Sequence, residues 1–211
     1  MNEVDILKKI EKKVLWLACW MIHNANHIRE NQDGLKVGGH QASSASIVSI
    51  MTALYFSILR PEDRVAVKPH ASPVFHAIQY LSGLQTKEKI QNFRGFGGAQ
   101  SYPSRTKDID DVDISTGSVG LGVAMTSFIS LIQDYVARKK FYKNKPLGRM
   151  IALVGDAELD EGNVYECLQE GWKHDLRNVW WIIDYNRQSL DGVVHEGLSE
   201  RLSSVSVSYT H

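Results

Sequence analysis

Cysteine is scarce in this chain: two residues, Cys19 and Cys167, in 211. That excludes a disulfide framework and fits a reduced, intracellular setting, with the cytoplasm as the default. Net charge is absent as well, with 24 basic residues against 24 acidic. Without a basic excess there is no electrostatic footprint for nucleic acid or for an anionic membrane surface. No apolar run reads as a bilayer span, and the N-terminus lacks the basic-then-apolar order of a secretory signal. Repeats and low-complexity tracts are missing too. What remains is a length suited to one well-buried domain with an added arm.

The informative stretch runs from Met150 to Gly192. Ile151 to Val154 is a short apolar run closed by Gly155, the pattern of a strand buried on both faces. Gly155-Asp156 turns the chain, and Val164, Leu168 and Trp172 then recur at helical spacing. Val179 to Ile183 reads as a second buried strand, and Asp184-Tyr185-Asn186 leaves its end. In a right-handed βαβ unit the two strands lie parallel with their C-terminal ends on one edge. Asp156 and Asn186 are then neighbours despite their separation (186 − 156 = 30). A carboxylate, a carboxamide oxygen and a backbone carbonyl make a hard, low-charge donor set suited to Mg²⁺. A helix N-terminus on the same edge favours an anion, so the unit reads as a metal-bridged diphosphate site.

Taken in order, residues 4 to 28 carry a helical stripe (Val4, Leu7, Ile10, Val14, Leu17, Met21) and 31 to 34 a turn. We assign 1–37 to an N-terminal helical arm and 38–211 to an α/β domain. Its elements are a helix from Ser43 to about Leu59, a strand over 64–67, a loop carrying His70, and helices to Leu81 and over 86–94. The Gly-rich, then charged, segment 95–113 reads as a long ordered loop. A helix opens at Gly117–Gly122 and runs to about Tyr142. After Gly192 the chain turns serine-rich with no clear element, where a doubly wound domain would add a strand, and we expect a truncated chain.

Single motifs leave choices open. The glycines at 117, 120 and 122 suit either backbone approach to a phosphate or tight packing of a helix start. His40, at a helix start, is either a cap or an acid–base group, whereas His70 sits in a loop on the edge that carries Asp156. Glu158 and Glu161 complement a helix dipole.

Gly155-Asp156-Ala157 through Asn186, with Leu190-Asp191-Gly192 and the acidic run 158–161, resembles the thiamine-diphosphate fingerprint of the transketolase superfamily. Within it the chain looks closest to homodimeric pyruvate dehydrogenases. The resemblance covers the chain from about Gly38 onward. It implies a three-layer αβα fold with a mostly parallel, doubly wound sheet, the thiamine-diphosphate-binding fold. It also implies thiamine diphosphate and Mg²⁺ as cofactors, with Asp156, Asn186 and the Gln188 carbonyl on the metal. Ser43, His70, Tyr102, Gly117, Ser118, Val119, Gly155, Asp156, Ala157, Glu158 and Asn186 match cofactor-side positions, and His40 and His70 match histidines placed around thiazolium and substrate. Two departures stand out: Ala157 where the family has Gly, and Ser104 where it usually has a histidine.

The activity so implied is 2-oxo acid decarboxylation of the pyruvate dehydrogenase type, this chain supplying the diphosphate-binding half of a homodimer. The carboxylate that activates the aminopyrimidine belongs to a separate pyrimidine-binding domain. A transketolase-like transfer between sugar phosphates is the first alternative, and a non-catalytic assembly fragment the second.

Overall fold

A computed structural model describes residues 2–30, 34, 36–141, 146–189 and 192–193. Its centre is a parallel sheet of β1 (Arg64–Ala66), β2 (Met150–Gly155) and β3 (Val179–Asp184), in the order β1-β2-β3. Ile114 adds a parallel bridge to Ala66 beyond β1. The helices are α1 (Glu3–His23), α2 (Gln41–Ala53), α3 (Ser72–Leu81), α4 (Lys87–Gln91), α5 (Leu121–Arg138) and α6 (Gly162–Lys173). A two-stranded antiparallel pair, β4 (Gln188–Ser189) and β5 (Gly192–Val193), closes the described chain.

The strand residues sort by alternation, as a pleat requires. Val65, Val67, Ile151 and Leu153 pack with Val14, Met21, Ile47, Met51 and Phe75 of α1, α2 and α3. Ala66, Ala152 and Val154 face the other way, onto Val123 of α5 and Val164 and Cys167 of α6. The result is the three-layer αβα arrangement, with β2 buried along its whole length. α1 shares one core with α2 and α3 through Val14, Ala18 and Met21 rather than lying apart from it.

Local chemistry starts these helices. Asn2 caps α1 by accepting the Asp5 N–H at 2.8 Å, and Glu3 and Asp5 complement the dipole of its first turn. Two expected helices change pitch before they end. α1 passes into a π-helical turn at Asn24–Ile28 and α2 into another at Leu54–Ile58. Gln41–Ile58 is long and apolar enough to cross a bilayer by composition, which corrects the reading that no run was; its Ile47, Val48, Met51 and Leu54 are buried in the domain core instead. α5 starts at Leu121 and stops at Arg138, short of the expected Tyr142.

α5 is amphipathic in the inverted sense. Its sheet-facing side carries Val123 with small polar residues, Thr126, Ser127 and Ser130. Its outward side exposes Leu121, Met125, Phe128, Ile132 and Tyr135. Those five recur at alternating intervals of four and three, the spacing of a helix–helix seam.

The opposite end of the sheet is clamped by Asp63, whose side chain is fully buried. It accepts the backbone N–H groups of Arg149 (2.7 Å) and Arg60 (2.9 Å) and a paired guanidinium contact from Arg149, which also lies over the Trp180 ring. Burial alone would raise the carboxyl's pKa, but the Arg149 guanidinium and these N–H bonds hold it well below the ordinary 3.8. A carboxyl so depressed stabilises the fold above its ordinary value, and that contribution drains away as pH falls through it. Asp63→Ala is expected to cost about 3–5 kcal/mol by denaturant titration at pH 7, the loss typical of a broken buried pair. A loss under about 1 kcal/mol would show the clamp to be peripheral.

Candidate functional site

All three strands end on one edge, and each delivers polar residues there. β1 leads through Val67 to Lys68 and a short 3₁₀ turn, Pro69–Ala71, carrying His70. Gly155 of β2 is in register with Asp184 of β3, so Asp156 and the 184–187 loop emerge side by side. The N-terminal turns of α2 add His40, Ser43 and Ser46, and the turn before α5 adds Ser118. His40, Ser43, Lys68, His70, Ser118 and residues 155–158, with Glu161 and Asn186, line a cleft of about 280 Å³.

Two glycine conformations make this convergence possible. Gly39 has φ +127°, and a Cβ there would stand 3.0 Å from the Ile22 side chain. Gly120, the N-cap of α5, has φ +72°, and a Cβ would stand 2.5 Å from Asn163 Oδ1. Asn26, in the π-turn after α1, donates to the Gly38 carbonyl and accepts the Gly38 N–H, both at 2.9 Å. That two-way clamp holds the segment presenting His40.

Asp156 is only 2 % exposed. Its Oδ2 accepts the Arg187 N–H at 2.6 Å and its Oδ1 the Ala157 N–H at 3.1 Å. Arg187 reaches that position with φ +61°, a left-handed conformation costly for a side-chain-bearing residue. No cationic side chain pairs with Asp156 among the described residues. Ala157 lies in a 3₁₀ turn, Asp156–Asp160, without positive φ, so its Cβ is accommodated. This turn occupies the acidic run and delays α6 to Gly162.

Lys68, 3 % exposed, is fully committed in charge: its Nζ lies 2.5 Å from Asp184 Oδ2. Ser46 donates to the same oxygen at 2.7 Å, and Asn186 Nδ2 lies 3.3 Å from it. Glu158 accepts the Gly155 N–H at 3.4 Å. Burial pushes its carboxyl up to about 7. The His40 and His70 rings stack with centroids 4.2 Å apart. Burial, and the nearby His40, Lys68 and Arg94 charges, bring His70 down to about 4, and His40 is lowered by burial, Arg94 and Lys68. Both imidazoles are therefore neutral at pH 7 and act as hydrogen-bonding groups rather than as cations.

Not every expected position lines the cleft. Tyr102 and Val119 are exposed, and neither they nor Gly117 reach the lining; the Val119 carbonyl accepts from Asn163 Nδ2 instead. Gln188 falls at the start of β4. Ser104 pairs its hydroxyl with Thr106 and its N–H with Asp108, shaping the 95–113 loop. Leu190, Asp191 and the serine-rich tract after Val193 lie outside the described residues.

Sequence reasoning passed over Lys68, Asp184 and Ser46, and it passed over His76. His76 is wholly buried, bonded through Nδ1 to Asp110 (2.7 Å) and through Nε2 to the Gln100 carbonyl (2.8 Å). Burial opposes its charge, but the Asp110 carboxylate wins and raises its pKa. With Asp108 it forms a cluster whose candidate ligand atoms lie within 4.8 Å of one another. Those atoms are already engaged: Asp108 receives the Gln100 and Ser104 N–H groups, and Asp110 the Gln85 amide. The cluster anchors the long loop rather than offering an open metal site.

The cleft's chemistry fits the cofactors that its residues suggest. A buried, unpaired carboxylate is costly without a counterion. Two backbone N–H groups leave its oxygens further lone pairs, and a carboxamide completes a hard-oxygen set of the kind Mg²⁺ takes.

Residues 38–209 match the model of the transketolase thiamine diphosphate binding domain, and the chain belongs to that family. It is similar to the pyruvate dehydrogenase E1 components of Mycolicibacterium smegmatis, 27 % identical over 204 residues, and of Escherichia coli, 26 % over 202. Each alignment covers 92 % of this chain, and 21 % and 22 % of those proteins, so the chain spans about a fifth of their length. Its fold is shared with a transketolase from Campylobacter jejuni (TM-score 0.75, 24 % identity, 97 % of this chain and 32 % of that one). A transketolase variant from Pichia stipitis matches at TM-score 0.80, 22 % identity, 97 % of this chain and 30 % of that one.

The two shifted groups pull stability in opposite directions with pH. Glu158, raised from 4.5 to about 7, contributes fully below 4.5, and the contribution is lost as pH rises through 7. His70, lowered from 6.5 to about 4, contributes above 6.5 and loses it as pH falls toward 4. Glu158→Gln is expected to raise the thermal midpoint by a few degrees at pH 8 and leave it unchanged near pH 4, read by calorimetry. A carbon-detected NMR titration placing Glu158 at an ordinary glutamate value would contradict the burial argument.

Proposed function

We propose that this domain binds thiamine diphosphate through Mg²⁺ and serves 2-oxo acid decarboxylation of the pyruvate dehydrogenase type. The observation that carries it is the buried Asp156 carboxylate, without a cationic partner among the described residues, facing the Asn186 loop across the cleft. Asp156, Asn186 and the Gln188 carbonyl would hold the ion. Ser118 and the turn before α5 would lie along the diphosphate. When bound, the cofactor supplies the carbon nucleophile and electron sink that decarboxylation needs.

The chain's own residues do the rest. Neutral His40 and His70 can donate N–H bonds to an oxygen that gains charge, at no cost in imidazolium desolvation. Glu158, sharing its proton near neutrality, keeps negative charge from accumulating beside the diphosphate. The resemblance to pyruvate dehydrogenase E1 components in sequence favours a 2-oxo acid over the sugar phosphates of a transketolase-like transfer. The aminopyrimidine-activating carboxylate is proposed to come from a pyrimidine-binding domain, elsewhere in the polypeptide or on another chain. The apolar outward face of α5 supports assembly as a homodimer, and the unpaired Cys19 and Cys167 suit a cytoplasmic setting.

Isothermal calorimetry with thiamine diphosphate and MgCl₂ tests the reading. The wild-type chain, alone or with its complementing domain, should release heat only when both are present. Asp156→Ala should weaken binding more than about 100-fold, beyond the loss expected for an outer-shell partner. Equal binding by the variant, or no heat in either setting, would favour a non-catalytic assembly fragment.

A further inference from the structure

We propose that Lys68, Asp184 and Ser46 form a positioning node that sets the orientation of the Asn186 carboxamide and thereby the metal affinity of the cleft; this rests on the metal-site reading above. Three donors from three parts of the chain converge on one oxygen, Asp184 Oδ2. Lys68 Nζ arrives from the end of β1 at 2.5 Å, Ser46 Oγ from α2 at 2.7 Å, and Asn186 Nδ2 from two residues along at 3.3 Å. Ser46 Oγ also lies 3.5 Å from that amide nitrogen.

A carboxylate only accepts hydrogen bonds, so the end of Asn186 turned toward Asp184 must be its NH₂. The amide oxygen is then the end turned away, on a residue that lines the cleft with Asp156. Loss of Asp184 removes this charged acceptor from the amide nitrogen, and a flipped amide would present donors to a cation.

Charge makes the second argument. Lys68 and Asp184 are both under 5 % exposed, and a buried ion pair is a poor source of stability compared with apolar side chains of the same volume. The pair does cancel itself, so the Lys68 charge does not neutralise Asp156, which stays available to a divalent ion. Outer-shell partners that orient a ligand in this way commonly change metal affinity about 10–100-fold.

The test uses the full chain with thiamine diphosphate and Mn²⁺, reading free and bound Mn²⁺ by electron paramagnetic resonance. Lys68→Met combined with Asp184→Leu replaces the pair by apolar side chains and strands no charge, so the protein should fold with a thermal midpoint near wild type. Its Mn²⁺ affinity should fall about 10–100-fold, Ser46→Ala should lose a smaller factor, and Asp63→Asn, which destabilises the far end of the sheet, should lose none. If the double variant does not fold, Ser46→Ala carries the test alone, and unchanged Mn²⁺ affinity in it would overturn the node. A folded variant that binds Mn²⁺ as wild type does would overturn the node while leaving the metal site standing. Absence of Mn²⁺ binding by the wild-type chain would overturn the metal-site reading itself.

Discussion

One carboxylate, sunk where three parallel strands end, sets the terms for everything around it. Taking the charge of Asp156 out of water costs several kcal/mol unless something answers it, and two backbone N–H groups answer only part. The protein spends a left-handed residue, Arg187, to bring one of those N–H groups within 2.6 Å. Meanwhile Lys68, the one buried cation lining the cleft among the described residues, is tied to Asp184. The described residues offer no cationic side chain for the remaining demand, which the proposed Mg²⁺ would meet.

The neighbouring groups are consistent with that demand because their charges are muted. His40 and His70 are held neutral by burial and nearby cations, and Glu158 is pushed toward its protonated form. A cleft built this way presents neutral imidazole donors beside the buried Asp156 carboxylate. Neutral imidazoles would not repel the proposed ion, and a protonated Glu158 would not compete with a diphosphate for it. The inverted amphipathy of α5 sets an apolar face outward, and the proposed homodimer would cover it.

The parts of this arrangement that short-range pattern governs were legible in the sequence. The run 151–154 is a buried strand as expected. The run 179–183 forms a strand that is only half-buried, with Trp180 and Ile183 exposed, which corrects its reading as a second buried strand. Parallel pairing alone places Asp156 next to the 184–187 loop, and the register Gly155 to Asp184 realises that placement. The helices α1 and α6 followed from apolar spacing. What could not be read is what depends on long-range meetings. Lys68 and Asp184 are 116 residues apart and Ser46 and Asp184 are 138 apart, so no window contains both partners. Asp110 and Gln100 lie 34 and 24 residues from His76 and reach it through the long loop, so the contact is not legible in any short stretch. The acidic run 156–160 has helix-like composition, yet it turns as a 3₁₀ segment because the Asp156 and Glu158 side chains bond back to the local backbone. Tyr102, Gly117 and Val119 matched a pattern, but they do not line the cleft.

The most direct measurement is anomalous diffraction at the manganese edge from crystals grown with thiamine diphosphate and Mn²⁺. A single peak within about 2.0–2.3 Å of Asp156 and Asn186 oxygens is the predicted result. A peak at His76, Asp108 and Asp110 instead, with the strand-end cleft holding none, would contradict it.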